Sequence, residues 1–151
     1  MRLFKTKEFA RTARKERVSD KDLTEAVERA EGGLIDGVIG KFLIKQRIAR
    51  PGQGRRGGHR AIIVHVKGEL ALMLHLFPKN AKGNLTRAEE DVYREAAKHF
   101  AELDDGAVED LVEAKEWIEI EDGKDRKEVP KRSASERPSG DEGARKGRRG
   151  R

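Results

Sequence analysis

Two apolar stretches, residues 59–67 and 70–77, flank the short connection Lys67, Gly68 and Glu69, and they limit what this chain can fold into more than any other feature. Apolar residues occupy both parities in each stretch, so as strands they show apolar side chains on both faces and need cover on both. Gly68 within so short a connection predicts a tight hairpin. Residues 41–49 instead change character with a period of two, which places Phe42, Ile44 and Ile48 on one face and Lys45 and Arg47 on the other. Three successive antiparallel strands, 41–49, 59–67 and 70–77, therefore make a meander with helices packed on it, an α+β arrangement.

The flanking segments read as those helices. Residues 5–17 carry Phe9 and Ala13 four apart, and Ser19 with Asp22 forms a capping-box pattern ahead of Leu23, Ala26, Val27 and Ala30, stopped at Gly32 and Gly33. Thr86 with Glu89 repeats the cap ahead of a helix to Leu103 that carries Val92, Ala96, Phe100 and Leu103 along one face, with Tyr93 beside it. A shorter helix at 107–115 turns Val108, Leu111 and Val112 inward. Arg2 to Phe4 reads as a short edge strand, and the alternation from Trp117 to Ile120 as a final one.

Composition places the core. The chain of 151 residues is 35% hydrophobic and 41% charged, and residues 122–151 contain one large apolar side chain, Val129. Such a segment cannot offset its ordering entropy. The division is therefore a domain over 1–121 and a disordered basic tail over 122–151, ending in a basic arm at 144–151 whose plain role is solubility and whose alternative is RNA contact. The tail has eleven Lys and Arg against six Asp and Glu, so it holds +5 of the net +6 and leaves +1 for residues 1–121. The absence of cysteine excludes disulfides and thiolate metal sites. No stretch has signal-peptide length or approaches the roughly 18 apolar residues of a membrane span, so the expectation is a soluble cytoplasmic protein with no membrane partner.

Within this nearly neutral domain, residues 41–67 form a window with Lys41, Lys45, Arg47, Arg50, Arg55, Arg56, Arg60 and Lys67 and no acidic residue, although the chain has 28. Residues 50–58 hold four glycines and a proline and read as an irregular loop that exposes its arginines and backbone N–H groups. Such a loop, with Lys45, Arg47 and Arg60 converging from the strands, suits phosphate. His59, next to Arg60, is the histidine placed for chemistry; His65 and His75, inside apolar strands, read as hydrogen-bonded core residues. No metal-ligand spacing occurs, so no metal or other cofactor is expected. Gly52, Gly54 and Gly57 match a dinucleotide fingerprint by letters only, since they lie between antiparallel strands. Aromatic residues are 5% of the chain, too few for base stacking, so contact to a nucleic-acid backbone fits better than base reading.

The succession Lys45-x-Arg47, Arg50-Pro51-Gly52-Gln53-Gly54, Gly57-Gly58-His59-Arg60, Phe77-Pro78-Lys79-Asn80 and Asn84-Leu85-Thr86 resembles the RelE/HigB-like toxins of bacterial type II toxin–antitoxin systems. The opening Phe4-Lys5-Thr6-Lys7-x-Phe9-Ala10-Arg11 and the Ser19-Asp20 helix start fit the same group. The resemblance spans 1–121 and implies a RelE-like fold, N-terminal helices packed on a small twisted antiparallel sheet with a C-terminal helix. It implies an endoribonuclease, an mRNA interferase that acts on the ribosome by attack of a ribose 2′-OH on the adjacent phosphate, without metal. By the same resemblance, Arg60 and Lys79 stabilise charge at the scissile phosphate, Lys45 and Arg47 are the basic strand positions, and Lys45 or His59 is the base. Arg50, Arg55 and Arg56 bind RNA phosphate. The implied partners are a cognate antitoxin, mRNA and the ribosome, and operator DNA through the antitoxin complex. Two departures keep alternatives open. Tyr93 lies within a helix, where cleaving members carry a tyrosine near the domain's end, and ParE-like toxins of the same superfold inhibit DNA gyrase without being nucleases. The alternatives are such a gyrase inhibitor or an inactive nucleic-acid-binding relative.

Overall fold

The computed structural model describes residues 1–50, 54–78 and 85–121, with the backbone alone at 49, 50 and 54–57. Met1–Ile120 form one compact unit. The tail expected over 122–151, with its basic arm, lies outside the described residues.

In chain order the described elements are β1 (Arg2–Thr6), α1 (Lys7–Glu16), α2 (Asp20–Glu31), β2 (Gly37–Gly40), β3 (Leu43–Arg50), β4 (Gly54–Val66), β5 (Leu70–Phe77), α3 (Arg87–Ala101), α4 (Asp105–Glu113) and β6 (Trp117–Ile120). The helices start where side-chain acceptors meet free N–H groups. Thr6 Oγ1 accepts from Phe9 N at 3.0 Å, and Asp104 Oδ1 from Ala107 N at 2.8 Å. Ser19 with Asp22 and Thr86 with Glu89 form complete capping boxes. Each such cap stabilises its helix by about 1 kcal/mol.

The strands join one sheet in the order β2-β3-β4-β5-β1-β6, antiparallel except where β1 runs parallel to β5. The expected meander is its centre. β1 is not an edge strand: Leu3 and Phe4, neighbours that face opposite sides, are both buried, which requires an interior position, and β6 pairs outside it. The irregular loop expected over 50–58 is corrected over 54–58, while 51–53 lie outside the described residues. β4 begins at Gly54, paired with Arg50 beyond a register shift after Ile48, since glycine offers no side chain to obstruct a bulged hairpin arm. Phe42 stands in the turn before β3 at φ 63, not on the strand beside Ile44; its ring lies 5.2 Å from Lys41 Nζ. The edge strand β2 escaped the sequence reading because four residues with two glycines leave no period to detect.

Helices cover both faces of the sheet, as the two-sided apolar strands require. On one face Phe9 and Ala13 of α1 and Leu23, Ala26, Val27 and Ala30 of α2 pack on Leu3, Ile44, Ile48, Ala61, Ile63 and Met73. On the other, Ala97 of α3, Val108 of α4 and Trp117 pack on Phe4, Leu43, Ile62, Val64 and Leu72. Each large side chain so buried contributes roughly 1.5–3 kcal/mol. Val92 is 66% exposed, contrary to the inward face expected of it. The helix instead turns in the parallel stripe of Tyr93, Ala97 and Phe100, which offers two aromatic rings to the core.

Two glutamates tie the first pair of helices to β4. His59 Nε2 lies 3.0 Å from Glu16 Oε1 of α1, and His65 Nε2 lies 2.7 Å from Glu31 Oε2 of α2. Glu31 also accepts from Gly68 N, at 3.0 Å, and so clamps the β4–β5 turn. Burial opposes ionisation of Glu31, but the Gly68 N–H, His65 and Lys67 outweigh it and hold the carboxyl below its ordinary value of 4.5. A depressed carboxyl stabilises the fold above its unfolded pKa, and this contribution disappears as pH falls through the folded one. Urea midpoints should therefore drop on acidification below about pH 4.5, and Glu31→Gln should flatten that part of the profile; an unchanged slope in the variant would show that Glu31 does not contribute.

Candidate functional site

The exposed cations of the sheet follow from its alternation. On β3, Leu43, Lys45 and Arg47 face the α3–α4 side, while Ile44, Gln46 and Ile48 face α1 and α2. Burial falls along that first row: Leu43 is buried beneath α3, Lys45 half-buried and Arg47 exposed. On β4 the same face carries Val64, Ile62 and then Arg60, half-buried. Register fixes the neighbours: Arg47 is opposite Arg60, which is opposite Phe77, and Lys45 is opposite Ile62, which is opposite His75. Where the helix cover ends, the face changes from apolar to cationic.

Arg47 and Arg60 face one another directly, and among the described residues neither is paired with a carboxylate. Like charges directly opposite across a sheet are destabilising. An anion seated between them removes that repulsion, and a planar guanidinium suits phosphate oxygens in particular.

A buried polar network holds this end of β3 in place. Gln46, fully buried, donates from Nε2 to Ala26 O and Leu34 O, both at 3.0 Å, and accepts from Asp36 N at 2.9 Å. Asp36 Oδ2 accepts from Arg47 N at 2.8 Å, and Arg29 donates to Arg47 O while its Nε meets Glu25 at 2.9 Å. Both backbone polar groups of Arg47 are thus fixed by side chains from elsewhere. Gln46 was legible as the one polar side chain on the Ile44–Ile48 face; its partners in α2 and the following turn were not.

Of the residues expected to form the site, the structure brings Lys45, Arg47 and Arg60 together. It sets His59 on the opposite face, 3% exposed and against Glu16, away from those three. Arg50 ends β3, and Arg55 and Arg56 lie on the first part of β4; their side chains, and Lys79 altogether, are outside the described residues. The face has two further members. His75 and Tyr93, both half-buried, approach with ring centroids 5.9 Å apart, and His75 meets the Phe77 ring edge-on at 4.7 Å. Burial lowers the His75 pKa from its ordinary 6.5 despite the nearby Glu89, and burial with Glu89 and Glu8 raises that of Tyr93. At neutral pH the pair is an uncharged imidazole beside an uncharged phenol.

Among the described residues no cluster of three or more His, Cys, Asp or Glu is arranged to hold a metal ion, and no helix is long and apolar enough to cross a membrane. The site's positive charge comes from Lys and Arg side chains.

None of the curated proteins compared with this sequence matches it. The family model described as the RelE toxin of the RelE/RelB toxin–antitoxin system matches residues 1–120. That match covers the whole compact unit, including the six-stranded sheet and the cationic face, so the chain belongs to the RelE toxin family and is a toxin of the toxin–antitoxin type.

Proposed function

We propose that this toxin is a metal-independent endoribonuclease that cleaves mRNA on the ribosome. The observation that carries the reading is the juxtaposition of Arg47 and Arg60 across two strands without a carboxylate partner among the described residues, with Lys45 one step along the same face. Cleavage by a neighbouring ribose 2′-OH places an additional negative charge on the phosphate oxygens in the transition state, and guanidinium groups fixed beforehand stabilise that charge more than they stabilise the resting diester. The role of the network around Gln46 and Asp36 is to keep them fixed, so that little reorganisation accompanies the reaction.

The acidic character of α3, α4 and β6 supports a substrate confined to the cationic end of this face. From α3 to the end of β6 the chain carries twelve Asp and Glu against four Lys and Arg, and these repel a polyanion from the helix-covered part of the sheet. Lys79, with Arg50, Arg55 and Arg56, extends the phosphate contacts in this reading. The cognate antitoxin silences the toxin by covering the cationic face with acidic side chains.

The test is to programme ribosomes with a defined mRNA, add the purified full-length chain, and map new 5′ ends by primer extension. Cuts within the codon in the decoding site support the reading. Intact mRNA together with trapped gyrase–DNA complexes would replace it with a gyrase-directed toxin.

A further inference from the structure

We infer that His75 is the general base of the cleavage site, an inference that rests on the nuclease reading above. The geometry of the strand histidines distinguishes it from the other two. His59 and His65 lie on the α1–α2 face with Nε2 against Glu16 and Glu31. His75 lies on the opposite face, in line with Lys45 through Ile62 and diagonal to Arg60. It makes ring contacts with Phe77 and Tyr93, and among the described residues its nitrogens have no hydrogen-bond partner and are not enclosed. An imidazole nitrogen left unbonded beside a cationic face is available to a substrate proton.

The position depends on one residue. From the turn, β4 and β5 pair Val66 with Leu70, His65 with Ala71, Val64 with Leu72 and Ile63 with Met73; then the register shifts, Leu74 is passed over, and Ile62 pairs with His75. Without the extra residue His75 would pair with Ala61 and face α1 and α2, as His59 does. The bulge turns it to the side of Arg60 and Lys45. Adjacent strands are about 4.8 Å apart, so the Cα atoms of Lys45 and His75 stand roughly 10 Å from one another. Ile62 between them is fully buried, so a ribose and its 3′-phosphate sit on the Arg60 and Arg47 side of this line, where the row becomes exposed.

In the reaction, His75 takes the proton of the 2′-OH as the O2′–P bond forms. The P–O5′ bond breaks, and the departing 5′-oxygen takes a proton from water. The products are a 2′,3′-cyclic phosphate and a 5′-hydroxyl, with no change in oxidation state. Arg47 and Arg60 hold the phosphate oxygens meanwhile. Among the described residues, Glu89 and Tyr93 from α3, Arg60 from β4, and Lys45 and Arg47 from β3 are charged or titratable groups on this side, and Glu8 of α1 acts on Tyr93. With burial prevailing over Glu89, the ring is in its neutral, proton-accepting form at pH 7.

The experiment measures kcat/KM for cleavage on programmed ribosomes against pH, for the full-length wild type and His75→Gln. The wild type should lose activity with acid along a limb whose midpoint lies below 6.5, the ordinary histidine value. His75→Gln should be slower by about 100-fold or more and lack that limb, while ribosome binding and the melting transition are retained. A proton NMR titration of wild-type His75 gives a second reading that requires no variant, because its midpoint must coincide with the kinetic one. A His75→Gln protein that cleaves at the wild-type rate with the acid limb intact, or a ring that titrates elsewhere, overturns the assignment and leaves the nuclease reading standing. A wild type that cuts nothing overturns both.

Discussion

On the nuclease reading, Arg60→Ala should lower cleavage of ribosome-bound mRNA by about 10²–10³-fold, the usual consequence of deleting one fixed group that stabilises developing charge. The loss should fall on kcat, because the guanidinium interacts more strongly with the transition state than with the resting diester. Arg60→Lys should recover only part of the rate, since an ammonium keeps the charge without the planar pair of donors. Stability moves little or rises, by less than about 1 kcal/mol, because the deletion also removes the repulsion with Arg47 directly opposite. That combination separates a role in chemistry from one in folding. Primer extension reports the first, urea denaturation the second. A variant that still cuts at the wild-type rate would remove Arg60 from the mechanism, and one that simply unfolds would show its half-buried stem to be structural. A corollary is that short RNA or inorganic phosphate should raise the melting temperature of the wild type more than that of Arg60→Ala.

Gln46→Ala is the substitution with the largest expected cost in stability. Gln46 has no exposure and makes hydrogen bonds to Ala26 O, Leu34 O and Asp36 N. Truncation leaves these groups short of a partner and opens a hole between α2 and β3. One buried polar group without a partner costs about 1–3 kcal/mol, and of the three only the Ala26 bond is fully buried, so the costs do not add fully. The expected loss is about 3 kcal/mol, or a fall in melting temperature on the order of 10 °C. Gln46→Leu should do no better, because it fills the volume without satisfying the backbone. Activity should fall in those molecules that stay folded, since Asp36 also fixes Arg47 N. A melting curve within 2–3 °C of the wild type, in the range ordinary for surface substitutions, would mean that water replaces the amide without difficulty.

Much of the architecture was legible. The apolar pair of strands around Gly68, the two capping boxes and the alternation at Trp117 to Ile120 each depend on neighbours within four residues, and each appears in the structure. The places where the sequence misled are those where local signals tie. Val92 and Tyr93 head two equivalent helical stripes, and only the sheet below selects the aromatic one. Leu3 and Phe4 show a strand without showing what lies beside it, because β6 reaches it from more than a hundred residues away. The glycines over 54–58 signal conformational freedom, which serves a bulged strand as well as a loop.

The candidate site divides along the same line. Its cations could be located from the sequence, because period-two alternation puts Lys45 and Arg47 on one face whatever surrounds them, and Arg60 follows from the hairpin. Of the histidines, His65 is the hydrogen-bonded core residue its apolar strand implies, but the faces of His59 and His75 could not be located. Parity along a strand is counted from a register, and a single unpaired residue reverses it for everything beyond. Sequence alone determined a two-sided sheet with a cationic strand face and membership in the RelE toxin family. The tertiary structure decided that the bulge at Leu74 turns His75 toward that face, while Glu16 and Glu31 hold His59 and His65 on the other. Pairing register is a contact between strands, and no local pattern records it.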